Sequence, residues 1–185
     1  MSRTLVLGGA RSGKSAHAER LAAQSGKDIV YVATASAGDA EMARRIAAHR
    51  ADRPAHWATV EEPLALAATL EQWRAPHRLV LVDCLTLWLT NLLFADATDY
   101  PEVGAIALPR RFHDERAALL AQLDSGAGDV VFVSNEVGMG IVPFGAVTRA
   151  FADEAGRLNQ AIAAASDNVV FVAAGLPLVL KGAAC

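Results

Sequence analysis

The sequence predicts an α/β fold, with a mostly parallel central sheet, helices on both faces and an antiparallel edge strand at the C-terminal end. Three observations carry this. Short β-branched runs alternate with longer alanine-rich segments, the order that builds a parallel sheet. The apolar runs are continuous rather than alternating, as in strands covered on both faces. The chain has 185 residues, 53% hydrophobic and 20% charged, which suits one domain, residues 1–185, with a full-sized core.

The elements come in order. Thr4 to Leu7, Ile29 to Ala33, Leu79 to Val82, Val130 to Val133 and Val169 to Val172 are the strand runs. Between them, Ser15 to Gln24, Ala40 to His49, Pro63 to Trp73, Leu85 to Phe94, Arg111 to Leu123 and Gly145 to Ala165 read as helices. A further short strand is expected over Trp57 to Val60. The segment from Gly175 adds a last strand at the sheet edge, since Pro177 argues against a central position. Ala95 to Pro109 carries the weakest pattern and reads as a loop. Asp124 to Asp129 (DSGAGD) is a turn cluster.

Composition narrows the function classes. A net charge of −3 gives no support to a nucleic-acid binder held by a broad basic surface. The apolar N-terminal run, Leu5 to Leu7, is too short for a secretory signal. Leu79 to Ala95 is the one stretch resembling a membrane span; Asp83 and Asn91 interrupt it, and it divides better into a strand and a helix. Cys84 and Cys185 form no metal-ligand spacing, so a cytoplasmic, reducing setting is the simpler expectation.

Residues 8 to 15 read GGARSGKS. They match G-x-x-x-x-G-K-[ST] between an apolar strand and an amphipathic helix, the context a phosphate-binding loop requires. Glycines let backbone N–H groups turn in around phosphate oxygens, and the helix N-terminus favours anions. Lys14 reaches the terminal phosphates, and Ser15 offers a hydroxyl to Mg²⁺. The run Leu79-Val80-Leu81-Val82-Asp83 ends in an acid. In P-loop proteins such an acid faces the Mg²⁺ from a neighbouring strand, although an Asp there also serves as a helix cap. Together the two motifs predict a P-loop NTPase-type, RecA-like sheet that binds a nucleotide and transfers phosphoryl groups.

A second constellation is RRIAAHRADRPAHW, Arg44 to Trp57, with four arginines and two histidines in fourteen residues. On a helix Met42, Ile46 and His49 share one face, and Pro54 ends the helix after them. By itself this reads as a basic, solvated helix end with His49 in the helix C-terminal field. Beside a phosphate site it also reads as a nucleophile. A neutral imidazole attacks phosphorus, and neighbouring arginines disfavour its protonation while holding phosphates. His56, just after Pro54, is the competing candidate. His17 is expected to pack or cap in the first helix, and His77 and His113 have no suggestive neighbours.

GGARSGKS, VATA, HRADRPAHW, TVEEP, VDCLTLWLTNLL, VSNEVGMGIVP and AGRLNQAIA occur in this order. In these stretches the chain resembles the bifunctional adenosylcobinamide kinase / adenosylcobinamide-phosphate guanylyltransferase family of cobalamin synthesis, from Leu5 to about Lys181. The resemblance implies two reactions. ATP or GTP phosphorylates the aminopropanol hydroxyl of adenosylcobinamide. GMP from GTP then passes through a histidine to that phosphate, releasing pyrophosphate and giving adenosyl-GDP-cobinamide. His49 takes the guanylylated place in R-I-x-x-H-[RK] ahead of R-P-x-x-W, and His56 takes a second, unmodified one.

The resemblance further implies nucleotide contacts at Gly8, Gly9, Ala10, Arg11, Ser12, Gly13, Lys14 and Ser15, at Ala33, Thr34 and Ala35, at Arg50, Ala51, Asp52 and Arg53, and at Glu61 and Asp83. The P-loop and the strand-end acid assign Mg²⁺ to Ser15 and Asp83, and the resemblance adds no metal ligand to them. It also suggests a homotrimer, for which Leu85 to Phe94, with Trp88 and its leucines, offers a subunit contact. Phe144-Gly145 departs from the polar pair expected there. One static site does not serve both reactions, so Ala35 to Arg53 is expected to swing toward the P-loop when GTP binds. The alternatives are a monofunctional P-loop small-molecule kinase with an incidental histidine, and a nucleotide switch, which no guanine-specificity signature favours.

Overall fold

In the computed structural model, residues 1–35, 44, 54–96 and 99–182 are described. The expected helix Ala40 to His49, and the expected movement of Ala35 to Arg53, fall almost entirely outside them.

The sheet has seven strands: β1 (Arg3–Gly8), β2 (Asp28–Ala33), β3 (Ala58–Glu61), β4 (Arg78–Asp83), β5 (Asp129–Asn135), β6 (Asn168–Ala173) and β7 (Leu176–Lys181). They lie in the order β3-β2-β4-β5-β1-β6-β7. Every pairing is parallel except that of β7 with β6. β7 is thus the antiparallel edge strand expected from Pro177, which an edge tolerates. The helices are α1 (Lys14–Gln24), α2 (Leu66–Trp73), α3 (Leu85–Phe94), α4 (Arg110–Ser125) and α5 (Ala146–Ala165).

Strand alternation divides the core in two. Leu5, Leu7, Val30, Val32, Val80, Val82, Val130 and Phe132 face one side, where α2, α3, α4 and α5 pack with Leu70, Trp88, Phe112 and Leu158. Val6, Tyr31, Leu81, Val131, Val133 and Val172 face the other, against Ala18 and Ala22 of α1 and Trp57. Both faces are covered, which is why these strands read as continuous apolar runs.

Most strands and several helices differ from expectation by one or two residues at their ends, and three of the differences have local reasons. α2 begins at Leu66 rather than Pro63, because the Glu62 carboxylate accepts the N–H groups of Leu64 and Ala65, each at 2.8 Å, in a turn ahead of the helix. α4 extends to Ser125, into the expected turn. There Arg74 donates to the carbonyls of Gln122 (2.6 Å) in the last turn and of Ala127 (3.1 Å) just beyond it, bracing the helix end. β3 starts one residue late, at Ala58, because the buried Trp57 packs into the α1-side core.

Of the helix expected to offer a subunit contact, Leu85, Trp88, Leu89, Leu92 and Leu93 pack in the chain's own core, while Phe94 at the end of α3 stays exposed. The Trp88 indole N–H donates to the Leu64 carbonyl at 2.7 Å, which locks the helix onto the loop before α2. Further exposed apolar side chains lie on β7 (Leu176, Leu178, Leu180) and on the loop after β5 (Met139, Ile141, Val142, Phe144).

Candidate active site

A parallel sheet gathers its strand ends on one edge, and open α/β sheets bind ligands there. Here that edge carries most of the residues singled out above. Ala33 of β2 is level with Glu61 of β3 on one side and Asp83 of β4 on the other. Asp83 is level with Val133 of β5, and Gly8 of β1 with Asn135. Asp83 does not stand on the strand next to the P-loop strand, as the sequence reading had it, because β5 lies between β4 and β1.

The loop from Gly8 to Gly13 turns straight into α1. Gly13 caps the helix with φ +93°, a left-handed conformation that a side chain opposes. Gly8 is required for a different reason: a Cβ there would lie 2.5 Å from both the Val172 carbonyl and the Ser12 hydroxyl. Arg11 also adopts a positive φ. The loop is tied internally by Ser12 N–H to the Gly9 carbonyl (3.2 Å) and to the β6–β7 turn by Gly175 N–H to the Ser12 carbonyl (2.8 Å). The Lys14 ammonium donates to the Gly9 carbonyl at 3.2 Å, folded back across the loop.

Asp83 lies on the α1 side of the sheet by alternation with Leu79 and Leu81, and its Oδ2 accepts a hydrogen bond from the Tyr31 phenol at 3.0 Å. The peptide that follows, Asp83–Cys84, is cis. Burial, then the Asp83 charge, push the Cys84 thiol up to about 11, so it is an inert core residue rather than a nucleophile. The oxygen donors of Ser15 and Asp83 suit a hard cation that keeps waters and phosphate among its ligands, as Mg²⁺ does. Among the described residues no cluster of three or more His, Cys, Asp or Glu could hold a metal.

Thr34 is fully buried. Its hydroxyl donates to the Cys84 carbonyl (2.7 Å) and accepts the Cys84 N–H (2.8 Å), stitching the end of β2 to the end of β4. The Asn91 side chain donates to the Thr34 carbonyl at 2.7 Å and to the Pro63 carbonyl at 3.1 Å. Glu61 is exposed at the end of β3. His49, Arg50, Ala51, Asp52 and Arg53 lie outside the described residues. His56 is exposed just ahead of β3. His17 is buried, and burial followed by the Arg20 charge hold its pKa below the usual value; it packs, as expected. Two features escaped the sequence reading: the phenol on Asp83, and the Gly175 turn bracing the P-loop. Tyr31, two residues before a strand end and so on the same face as that end, was a usable signal; the brace joins residues too far apart in sequence to leave one.

The family model for cobinamide kinase / cobinamide phosphate guanyltransferase matches residues 4–180. The chain belongs to this family. It is 57% identical to the bifunctional adenosylcobalamin biosynthesis protein CobP of Pseudomonas aeruginosa, over 97% of this chain and 98% of that one. It is 44% identical to the bifunctional adenosylcobalamin biosynthesis protein CobU of Salmonella typhimurium, over 96% and 98% respectively. Among solved structures, an ATPase from the type III secretion system of pathogenic bacteria superposes with a TM-score of 0.60 at 13% identity, over 96% of this chain and 56% of that one. The assembled ATPase EscN of enteropathogenic E. coli gives 0.57 at 14%, over 94% and 43%. This cobinamide kinase / guanyltransferase family member therefore shares the P-loop ATPase sheet, while spanning about half the length of those ATPase chains.

Proposed function

We propose that the chain phosphorylates the aminopropanol hydroxyl of adenosylcobinamide with ATP or GTP, and then transfers GMP from GTP to the resulting phosphate through His49. The observation that carries this reading is the family match over residues 4–180, which includes the P-loop, Asp83 and the Arg44–Trp57 segment. In the first reaction the substrate hydroxyl oxygen attacks the γ-phosphorus. The bond to the β-phosphate oxygen breaks, the nucleoside diphosphate leaves, and the hydroxyl proton is released. Backbone N–H groups of Gly8 to Ser15 and the Lys14 ammonium hold the phosphates and spread the developing charge. In the second reaction an imidazole nitrogen of His49 attacks the α-phosphorus of GTP and pyrophosphate leaves. A phosphate oxygen of cobinamide phosphate then displaces the histidine, restoring it. Arg50 and Arg53 supply positive charge to the phosphates, and Ala33, Thr34, Ala35, Ala51, Asp52 and Glu61 complete the nucleotide contacts. Ser15 and Asp83 would hold Mg²⁺, which screens the negative charge of the phosphates when bound.

The test uses GTP labelled at the α-phosphate. The wild-type chain is expected to take up acid-labile, alkali-stable label, and His49→Ala to lose both label and GMP transfer while keeping kinase activity. A His49→Ala protein that still labels and transfers GMP refutes the nucleophile assignment.

The whole chain works as a single nucleotide-binding domain in the cytoplasm and assembles as a homotrimer. The exposed leucines of edge strand β7 favour such assembly, since an uncovered apolar edge invites pairing. Light scattering that returns a monomer mass at micromolar concentration would exclude the trimer.

A further inference from the structure

We infer that the carboxamide of Asn135 contacts the terminal phosphate of the bound nucleoside triphosphate, reading its presence without adding charge. This rests on the kinase and guanylyltransferase reading above, and names a residue that the sequence reading quoted within VSNEVGMGIVP but gave no role. β5 stands between the strand carrying Asp83 and the strand carrying the P-loop. Its last residue is level with Gly8, two positions beyond the level of Asp83. Val131 and Val133 face the α1 side, so alternation sends the Asn135 side chain to that same side, between the Asp83 carboxylate and the start of α1.

The main chain of Asn135 is fixed from three directions. Its N–H donates to the Thr86 hydroxyl at 2.7 Å. Its carbonyl accepts from the Asn159 side chain at 3.1 Å. The next N–H, of Glu136, donates to the Gly8 carbonyl at 3.1 Å. Thr86 and Asn159 are both buried and come from α3 and α5, so two helices and the P-loop strand aim one strand end. The side-chain oxygen Oδ1, in contrast, is buried with no hydrogen-bond partner among the described residues. A buried acceptor left unpaired is costly and rare in a folded chain. The side chain as a whole is only partly buried at the strand edge, so a ligand that draws the carboxamide outward gives it partners. A carboxamide offers two N–H donors and one acceptor: Nδ2 donates to an oxygen of the terminal phosphate. Lys14 already brings the positive charge. A neutral, rigidly held amide adds direction, and it separates a triphosphate from a diphosphate because only the triphosphate reaches it.

Calorimetric titration of the intact chain with GTP and with GDP, each with Mg²⁺, tests this in the wild type, Asn135→Ala and the near-isosteric Asn135→Asp. The wild type is expected to prefer GTP. Asn135→Ala should weaken GTP about tenfold, the scale of one hydrogen bond to a charged group, with GDP changed less than about twofold on the same scale. Asn135→Asp should weaken GTP further, because a carboxylate repels the phosphate. Equal losses for GTP and GDP, or none, overturn the inference, as does a wild type with no GTP preference. A purely structural role would lower the melting temperature and affect both nucleotides alike. A wild type that prefers GTP through Asn135 yet modifies no cobinamide would instead count against the proposed function alone.

Discussion

The Tyr31 phenol donates to Oδ2 of Asp83 across the β2–β4 pair at 3.0 Å. The two residues lie on one face of adjacent strands, Tyr31 level with Leu81 and Asp83 level with Ala33. The bond fixes one carboxylate oxygen; under the proposed function the other would meet Mg²⁺. Outer partners of this kind typically matter about 10–100-fold in metal affinity or activity. Tyr31→Phe is therefore expected to raise the Mg²⁺ concentration for half-maximal kinase activity about tenfold, with nucleotide affinity in excess Mg²⁺ little changed. An unshifted Mg²⁺ curve would mean that the phenol only packs.

The P-loop's first glycine is set by its neighbours. Because a Cβ on Gly8 meets backbone at Val172, Gly8→Ala forces β1 and β6 apart. Overpacking of this type costs about 1–3 kcal/mol. The expected outcome is a lower urea midpoint together with loss of GTP binding. Retention of both would show that the strand pair yields without cost.

Thr34 gives a sharper separation of structure from contact. Thr34→Val preserves shape but leaves the Cys84 N–H and carbonyl without the hydroxyl that serves both. The Cys84 carbonyl keeps the Trp88 N–H at 3.2 Å, but the buried Cys84 N–H is left unpaired, which should cost about 1–3 kcal/mol. Chemical denaturation reads that loss directly. A variant as stable as wild type but weak in nucleotide binding would instead make the hydroxyl a ligand contact.

At the opposite edge, Asp129 predicts an acid limb of stability. Burial pushes its carboxyl up. Lys27 at 2.8 Å, the Ser2 N–H at 2.8 Å and the N-terminal ammonium outweigh that and hold its pKa below the usual value. Asp167 is held down by the backbone N–H and guanidinium of Arg3. Folded carboxylates of lowered pKa stabilise fully above the unfolded value of about 3.9, and that stability fades as pH falls through the folded value. Urea midpoints should decline below about pH 4, and Asp129→Asn should flatten the decline while lowering the plateau at neutral pH. An unchanged slope in the variant would remove Asp129 from the linkage.

Much of the fold was legible because its signals are local. Val130 to Val133 and its counterparts are apolar on both faces, and GGARSGKS combines turn, helix start and phosphate chemistry in eight residues. Leu79 to Ala95 separated correctly into β4 and α3, and among the described residues no helix is long and apolar enough to cross a membrane. What covers the leucines of α3 was not legible, because an all-round apolar helix reads the same whether its partner is another chain or its own core; Leu85, Leu89, Leu92 and Leu93 lie in the core. The start of α2 was missed because Glu62 competes for the N–H groups that would begin the helix.

The sequence by itself determined the element types, the P-loop, the acid at Asp83 and the family, all properties of contiguous residues. The tertiary structure alone decided the strand order. It set β5 between Asp83 and Gly8, put the Tyr31 phenol on the carboxylate, joined Gly175 to Ser12 and left Asn135 Oδ1 buried without a partner among the described residues. Each of these relations joins residues distant in the chain. They depend on which strands pair and at what register, and no local spacing encodes that.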